Sequence, residues 1–318
     1  MTTDLPEAWR DAELPDLPAL SGEFVEEFAR VIYGRTPPGA RLGEVVLQSR
    51  DEGVFGGAGD RLRHRATISC PLGDLELNTL LHIPADARPA PVVVALNFAG
   101  NDETLEDWPY AKVMAAGYAV LTVDYQQIEP DDPNASRVRA LFPAGEPWGA
   151  VAAWAWGLSR CLDIAADVPG VTIDGAIALG HSRLGKAALW AGVQDERFAV
   201  TVSNDSGCCG ASLFRHPGGE DIAAITTRFP HWFVPSFSAY AGSRPPIDQH
   251  QLLASIAPRR VYVASGEDDA WADPIGEYLA VVAATPAFGD GDIGYHVRPG
   301  GHALLEEDWL RALAFVQR

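Results

Sequence analysis

Gly180-His181-Ser182-Arg183-Leu184-Gly185-Lys186 lies between an apolar run, Gly175 to Leu179, and a helix-like stretch, Ala187 to Val193. A serine at such a strand-to-helix turn is lifted clear of the sheet. The backbone N–H of the next residue then points, with the helix N-terminus, at an oxyanion developing on an attacked carbonyl. Glycines on both flanks let the chain turn sharply. The second glycine comes one place later than in G-x-S-x-G, a spacing shared with plain glycine-rich strand-helix connections, so the partners of the serine must decide.

A serine hydroxyl at its ordinary pKa is a poor nucleophile and needs a base, which in turn needs an orienting carboxylate. His302 fits the base: it sits in Arg298-Pro-Gly-Gly-His302, after the β-like Gly294 to Val297 and before a C-terminal helical stretch. Two acids qualify. Asp269 follows the strand-like Val261 to Ala264 in Ser265-Gly266-Glu267-Asp268-Asp269, and Asp205 ends the preceding strand in Asn204-Asp205-Ser206-Gly207. Asp269 is the preferred orienter, with Asp205 kept as its rival; either aspartate is equally suited to an Asx-turn or helix cap. Arg183 follows the serine, so its N–H falls in the oxyanion site, and its guanidinium is either a second donor there or the partner of a nearby acid. The loop Asn97-Phe98-Ala99-Gly100-Asn101 is a second source of donors. His64 and His82 precede the nucleophile, His181 adjoins it but should point away, and His216, His231, His250 and His296 suit surface or core places better.

The elements that must hold these residues alternate. Two β-rich runs, His64 to Cys70 and Leu75 to Ile83, flank a Cys70-to-Asp74 turn and should pair antiparallel. Strand Val92 to Leu96, helix Ala111 to Ala116, strand Ala119 to Val123 and helix Gly149 to Ala165 follow. Next come the nucleophile strand Ala176 to Leu179, helix Lys186 to Val193, strands Ala199 to Ser203 and Val261 to Ala264, and helices Pro274 to Ala283 and Leu304 to Phe315. This order predicts an α/β fold: a mainly parallel central sheet with helices on both faces, a three-layer αβα sandwich on the α/β-hydrolase scheme. Sites in such sheets lie beyond the carboxyl ends of the strands. One domain over residues 1–318 is expected, residues 1–40 being a proline-flanked wrap, with a helix over Glu23 to Tyr33, packed on the sheet.

Composition narrows the partners. The 318 residues, 47% of them hydrophobic, include 24 Lys plus Arg against 43 Asp plus Glu, a net charge of −19. That balance repels phosphate backbones and anionic membranes, so no nucleic acid or membrane partner is expected. The first twenty residues lack a basic start and an apolar core, no stretch is long enough to span a bilayer, and Cys70, Cys161, Cys208 and Cys209 form neither a disulfide framework nor a zinc spacing. A cytoplasmic setting is the expectation.

The chain resembles the glucuronoyl esterases, a carbohydrate-esterase family (family 15) of the α/β-hydrolase superfamily, whose fungal members carry G-C-S-R-x-G-K where this chain has Gly180 to Lys186. The resemblance runs from about residue 75 to the end through Leu96 to Asn101, Ser203 to Gly207, Phe229 to Phe233, Asp248 to His250, Trp271 to Pro274 and Gly294 to His302. It implies hydrolysis of esters of (4-O-methyl-)glucuronic acid on xylan with lignin alcohols, by a serine triad with no metal or organic cofactor. It further implies Ser182 as nucleophile, Arg183 as oxyanion donor, His302 as base, Lys186 on sugar hydroxyls, and Glu220 and Trp271 completing the sugar site. Many members carry Glu at the position of Asp205; Asp is a methylene shorter, a second reason to prefer Asp269.

The expected function is therefore a serine carboxylic-ester hydrolase acting through an acyl-enzyme on a small or oligosaccharide uronate ester. Its rivals are a deacetylase of acetylated sugars, a general carboxylesterase, and a non-catalytic carbohydrate-binding protein on the same fold. Oligomeric state, leaving alcohol and natural polymer are not legible.

Overall fold

The computed structural model describes residues 5–22, 24–98, 100, 108–289 and 292–318. Strands β1 (Arg41–Gly53), β2 (Gly59–Cys70) and β3 (Gly73–Pro84) form an antiparallel meander. Strands β4 (Ala90–Asn97), β5 (Ala119–Asp124), β6 (Val171–His181), β7 (Val200–Asn204), β8 (Arg260–Gly266) and β9 (Ile293–Arg298) make the parallel part. The sheet order is β1-β2-β3-β5-β4-β6-β7-β8-β9, with β3 antiparallel to β5.

Helix α1 (Val25–Phe28) precedes the sheet and α9 (Glu306–Val316) follows it, while α2 (Val54–Gly57), α3 (Tyr110–Ala115), α4 (Ala150–Asp167), α5 (Arg183–Gln194), α6 (Ile222–Arg228), α7 (Gln249–Ala254) and α8 (Pro274–Ala284) lie between strands. Strand residues alternate between two cores, as their two-residue period requires. Val92, Val94 and Leu96 of β4 belong to the core that also takes in residues of α4, α5 and α8, whereas Val93 and Ala95 belong to the core on the other face, with residues of α3 and α9. The expected three-layer sandwich is thus present.

Several features differ from the sequence expectation. Strand β1 was not foreseen: its residues are mostly exposed on both faces, so no alternation marks it, as suits an edge strand. Helix α5 starts at Arg183, three residues earlier than expected, which makes Ser182 its N-cap. The N-terminal wrap seats largely on the helical layer: Tyr33 stacks on Trp190 of α5 at 4.6 Å, and His250 and Gln251 of α7 bond the carbonyls of Pro18 and Ala19. Glu23, the first residue of the expected helix, lies outside the described residues, as do Ala99 and Asn101 of the proposed donor loop. Among the described residues no helix is long and apolar enough to cross a membrane.

Candidate active site

The turn from β6 into α5 holds Ser182 at φ 58° and ψ −129°, a strained conformation for a residue with a Cβ. Ser182 N–H donates to Asn204 O at 2.9 Å, while Gly185 N–H and Lys186 N–H donate back to Ser182 O at 2.9 and 3.2 Å. The flanking glycines are demanded by close approach: a Cβ on Gly180 would stand 2.0 Å from Leu184 O, and one on Gly185 would stand 3.0 Å from Ser206 Cβ. The N–H groups of Arg183 and Leu184, ahead of those of Gly185 and Lys186, have no acceptor within the helix, and a helix start of this kind is where an anion is met.

His302 arrives on the loop after β9. Its Nδ1 lies 2.5 Å from Asp269 Oδ2, on the loop after β8, and Asp269 Oδ1 accepts Ala272 N–H at 3.2 Å. Burial raises Asp269's pKa, but the hydrogen bond and charge of His302 outweigh it and leave the carboxyl below its ordinary value. Asp205 has different partners. Its oxygens accept Gly266 N–H at 2.6 Å and Ala303 N–H at 3.3 Å, tying the two loops together, and burial pushes its pKa up to about 7. One donor atom each of Asp205, Asp269 and His302 lies within 4.8 Å of the others, so the rival acid is close without holding the ring. Of the other histidines singled out from the sequence, His216 bonds Asp273, His231 bonds Asp131, His250 bonds Pro18 O and His296 bonds Asp308.

Ser182, Arg183, Lys186, Glu220, Trp271 and His302 line one cavity of about 250 Å³, which Asp205 also borders. Ser182 Oγ forms no hydrogen bond among the described residues, a looseness common before substrate binds. Lys186 is buried beside the cavity, and its Nζ donates to Ser206 O at 2.5 Å and Cys208 O at 2.6 Å. Glu220 is buried with Oε1 unpartnered among the described residues; burial raises its pKa against the pull of Lys186 and Arg228. Trp271 is exposed at the mouth, and its carbonyl accepts Glu220 N–H at 3.0 Å.

Of the two sequence readings of the Arg183 side chain, the ion pair to a nearby acid is the one seen directly. Its guanidinium lines the cavity and also pairs with Asp131 Oδ2, and it lies 5.0 Å from the Trp232 ring centroid and 5.8 Å from that of Phe98. Asp131 further accepts from His231 Nε2 at 2.8 Å and Trp232 Nε1 at 2.7 Å. Sequence reasoning missed Asp131, although Phe229 to Phe233 had been singled out without a role.

It also missed three braces. Arg298 donates to Asp308, to the carbonyls of Pro299, Gly301 and Ala303, and approaches Asp205 at 3.5 Å, folding the loop that carries His302. Glu277, fully buried, accepts from Ser206 N–H at 2.8 Å, Gly207 N–H at 2.9 Å and Ser265 Oγ at 2.5 Å; burial, with Asp205's charge, pushes its pKa up to about 8. Arg228 reaches the cavity over Phe229 and Trp271.

The model of the fungal glucuronyl esterase family matches residues 68–290. The chain belongs to the glucuronoyl esterase family. A carbohydrate esterase from an unknown prokaryotic organism is 34% identical over 90% of this chain and 81% of its own. The solved glucuronoyl esterase of Solibacter usitatus superposes with a TM-score of 0.84 at 32% identity, covering 97% of this chain and 98% of that one. The 4-O-methyl-glucuronoyl methylesterase 1 of Phanerochaete chrysosporium is 30% identical over 70% of this chain, which spans about half (49%) of that relative. The chain is accordingly a carboxylic-ester hydrolase of the α/β-hydrolase fold.

Proposed function

We propose that this glucuronoyl esterase cleaves esters of glucuronic acid through Ser182, His302 and Asp269. Asp269 keeps the His302 proton on Nδ1, leaving Nε2 to take the Ser182 proton as Oγ attacks the ester carbonyl. The resulting oxyanion is met by the Arg183 N–H at the start of α5 and by the guanidinium beside it. Collapse of the intermediate expels the alcohol, which receives the proton from His302. Water then attacks the acyl-enzyme with His302 again as base, and the uronate leaves with Ser182 restored. Lys186 and Glu220 hydrogen-bond sugar hydroxyls while Trp271 offers an apolar ring face.

The observation that carries this reading is the 2.5 Å Asp269–His302 contact on the rim of the cavity that Ser182, Lys186 and Glu220 share. Its test is a panel of methyl, benzyl and allyl glucuronates, galacturonates and acetylated xylose. Glucuronates should rank first, and Ser182→Ala should lower kcat on them by on the order of 10⁴-fold or more with the circular dichroism spectrum intact. Faster turnover of acetylated xylose would overturn the acyl-side recognition, and surviving activity would move the nucleophile. Four cysteines carrying free thiols support a reducing, cytoplasmic setting for the enzyme.

A further inference from the structure

His181, the last residue of β6, stands beside the nucleophile with no part in the steps above. Its Nδ1 lies 2.6 Å from Asn204 Oδ1, and its ring centroid is 4.5 Å from that of His302 at a tilt of 45°. Asn204 Nδ2 donates to Ala264 O at 3.3 Å, which assigns Oδ1 as the acceptor and so places the His181 proton on Nδ1. Asn204 is the residue whose carbonyl also receives Ser182 N–H, so one side chain and its backbone set both the elbow and the ring before it. Phe98 meets His181 edge-on, with centroids 6.2 Å apart.

We infer that His181 is a positioning residue for His302, its neutral ring forming the wall that keeps the base between Asp269 and Ser182 and covering one face of an imidazole that is otherwise open to solvent. The inference rests on the triad reading above. A wall beside a base that becomes charged in every turnover must not itself carry charge. His181 touches His302 after β9 and Asn204 on β7, and it feels the charges of Asp269 after β8 and Asp308 on α9. The two aspartates favour its protonation, but burial and the charge of His302 outweigh them and lower its pKa to about 4, so it is neutral in the working range. An alanine here would open space against the imidazole, and water would both loosen the ring and stabilise its protonated form.

The test measures kcat and KM on benzyl glucuronate between pH 5 and 9 for the wild type, His181→Ala and His181→Gln. His181→Ala should lower kcat about 10- to 100-fold with KM within about 2-fold, because the residue acts through His302 rather than on substrate. The acid limb of its kcat/KM profile should move to higher pH as the base gains hydration. Gln keeps an N–H for Asn204 Oδ1 and fills part of the space, so it should recover most of the lost kcat with its acid limb between the other two. Wild-type kcat and limb in His181→Ala, or a loss confined to KM, would overturn the assignment. Should the alanine protein not fold, an unmoved limb in His181→Gln overturns it instead. Activity that survives Ser182→Ala would count against the triad, not against His181.

Discussion

Two aspartates stand close to one imidazole, and their environments differ. Asp269 stays below its ordinary pKa because it holds His302, so it is charged whenever the ring must be oriented or its imidazolium stabilised. Asp205, pushed up to about 7, holds its proton much of the time at neutral pH and makes a poor counter-ion, but as an acceptor of two loop N–H groups it needs no full charge. Asp269→Asn should therefore cost on the order of 10³-fold in kcat, through loss of the correct tautomer. Asp205→Asn keeps one oxygen for Gly266 N–H but turns an amide toward Ala303 N–H, and should cost only about 10-fold. Steady-state kinetics of the two variants decides the matter, and equal losses would mean that the acids share the task.

At the scale of elements, the site depends on how tightly α5 docks against β6 and β7. Gly180→Ala drives a methyl into Leu184 O, backbone that cannot move aside, and should lower unfolding free energy by roughly 3–5 kcal/mol. Gly301→Ala, one residue before the base, meets nothing within 4 Å and should stay within about 0.5 kcal/mol of wild type in the same urea titrations. The elbow was legible because its glycines, its serine and the change of hydrophobic period all sit within one short segment. The histidine loop was legible from Pro299-Gly300-Gly301 before His302. The carriers of Arg183 were not: Asp131 lies 52 residues upstream of it in a loop without periodicity, and only folding brings it to His231 and Trp232. Helices α6 and α7, of seven and six residues, are too short to show a helical period, and Glu277 reads as an ordinary acid in the first turn of α8.

For the molecule as a whole, the buried acids tilt stability toward mild acidity. Glu277 has its pKa raised from 4.5 to about 8 and Asp205 from 3.8 to about 7, so between the lower and upper values the folded chain binds protons that the unfolded chain has lost. Their contribution is complete below about pH 4 and is lost as pH rises toward 7 and 8. Asp269 and Asp308, held below 3.8 by their partners, work in the opposite sense: their stabilisation is present above that value and disappears as pH falls through their folded pKa. The net charge of −19 adds self-repulsion that relaxes toward the pI near 4.7. The two sets together place maximum stability near about pH 5, with Tm falling by several degrees, about 5 °C, toward pH 8. Glu277→Gln isolates the main contributor, since its amide oxygen still accepts from Ser206 and Gly207 while its amide group can donate to Ser265 Oγ. Scanning calorimetry across pH 5 to 8 should show a flatter dependence of Tm in Glu277→Gln than in the wild type. Parallel curves for the two proteins would mean that Glu277 does not change protonation in this window.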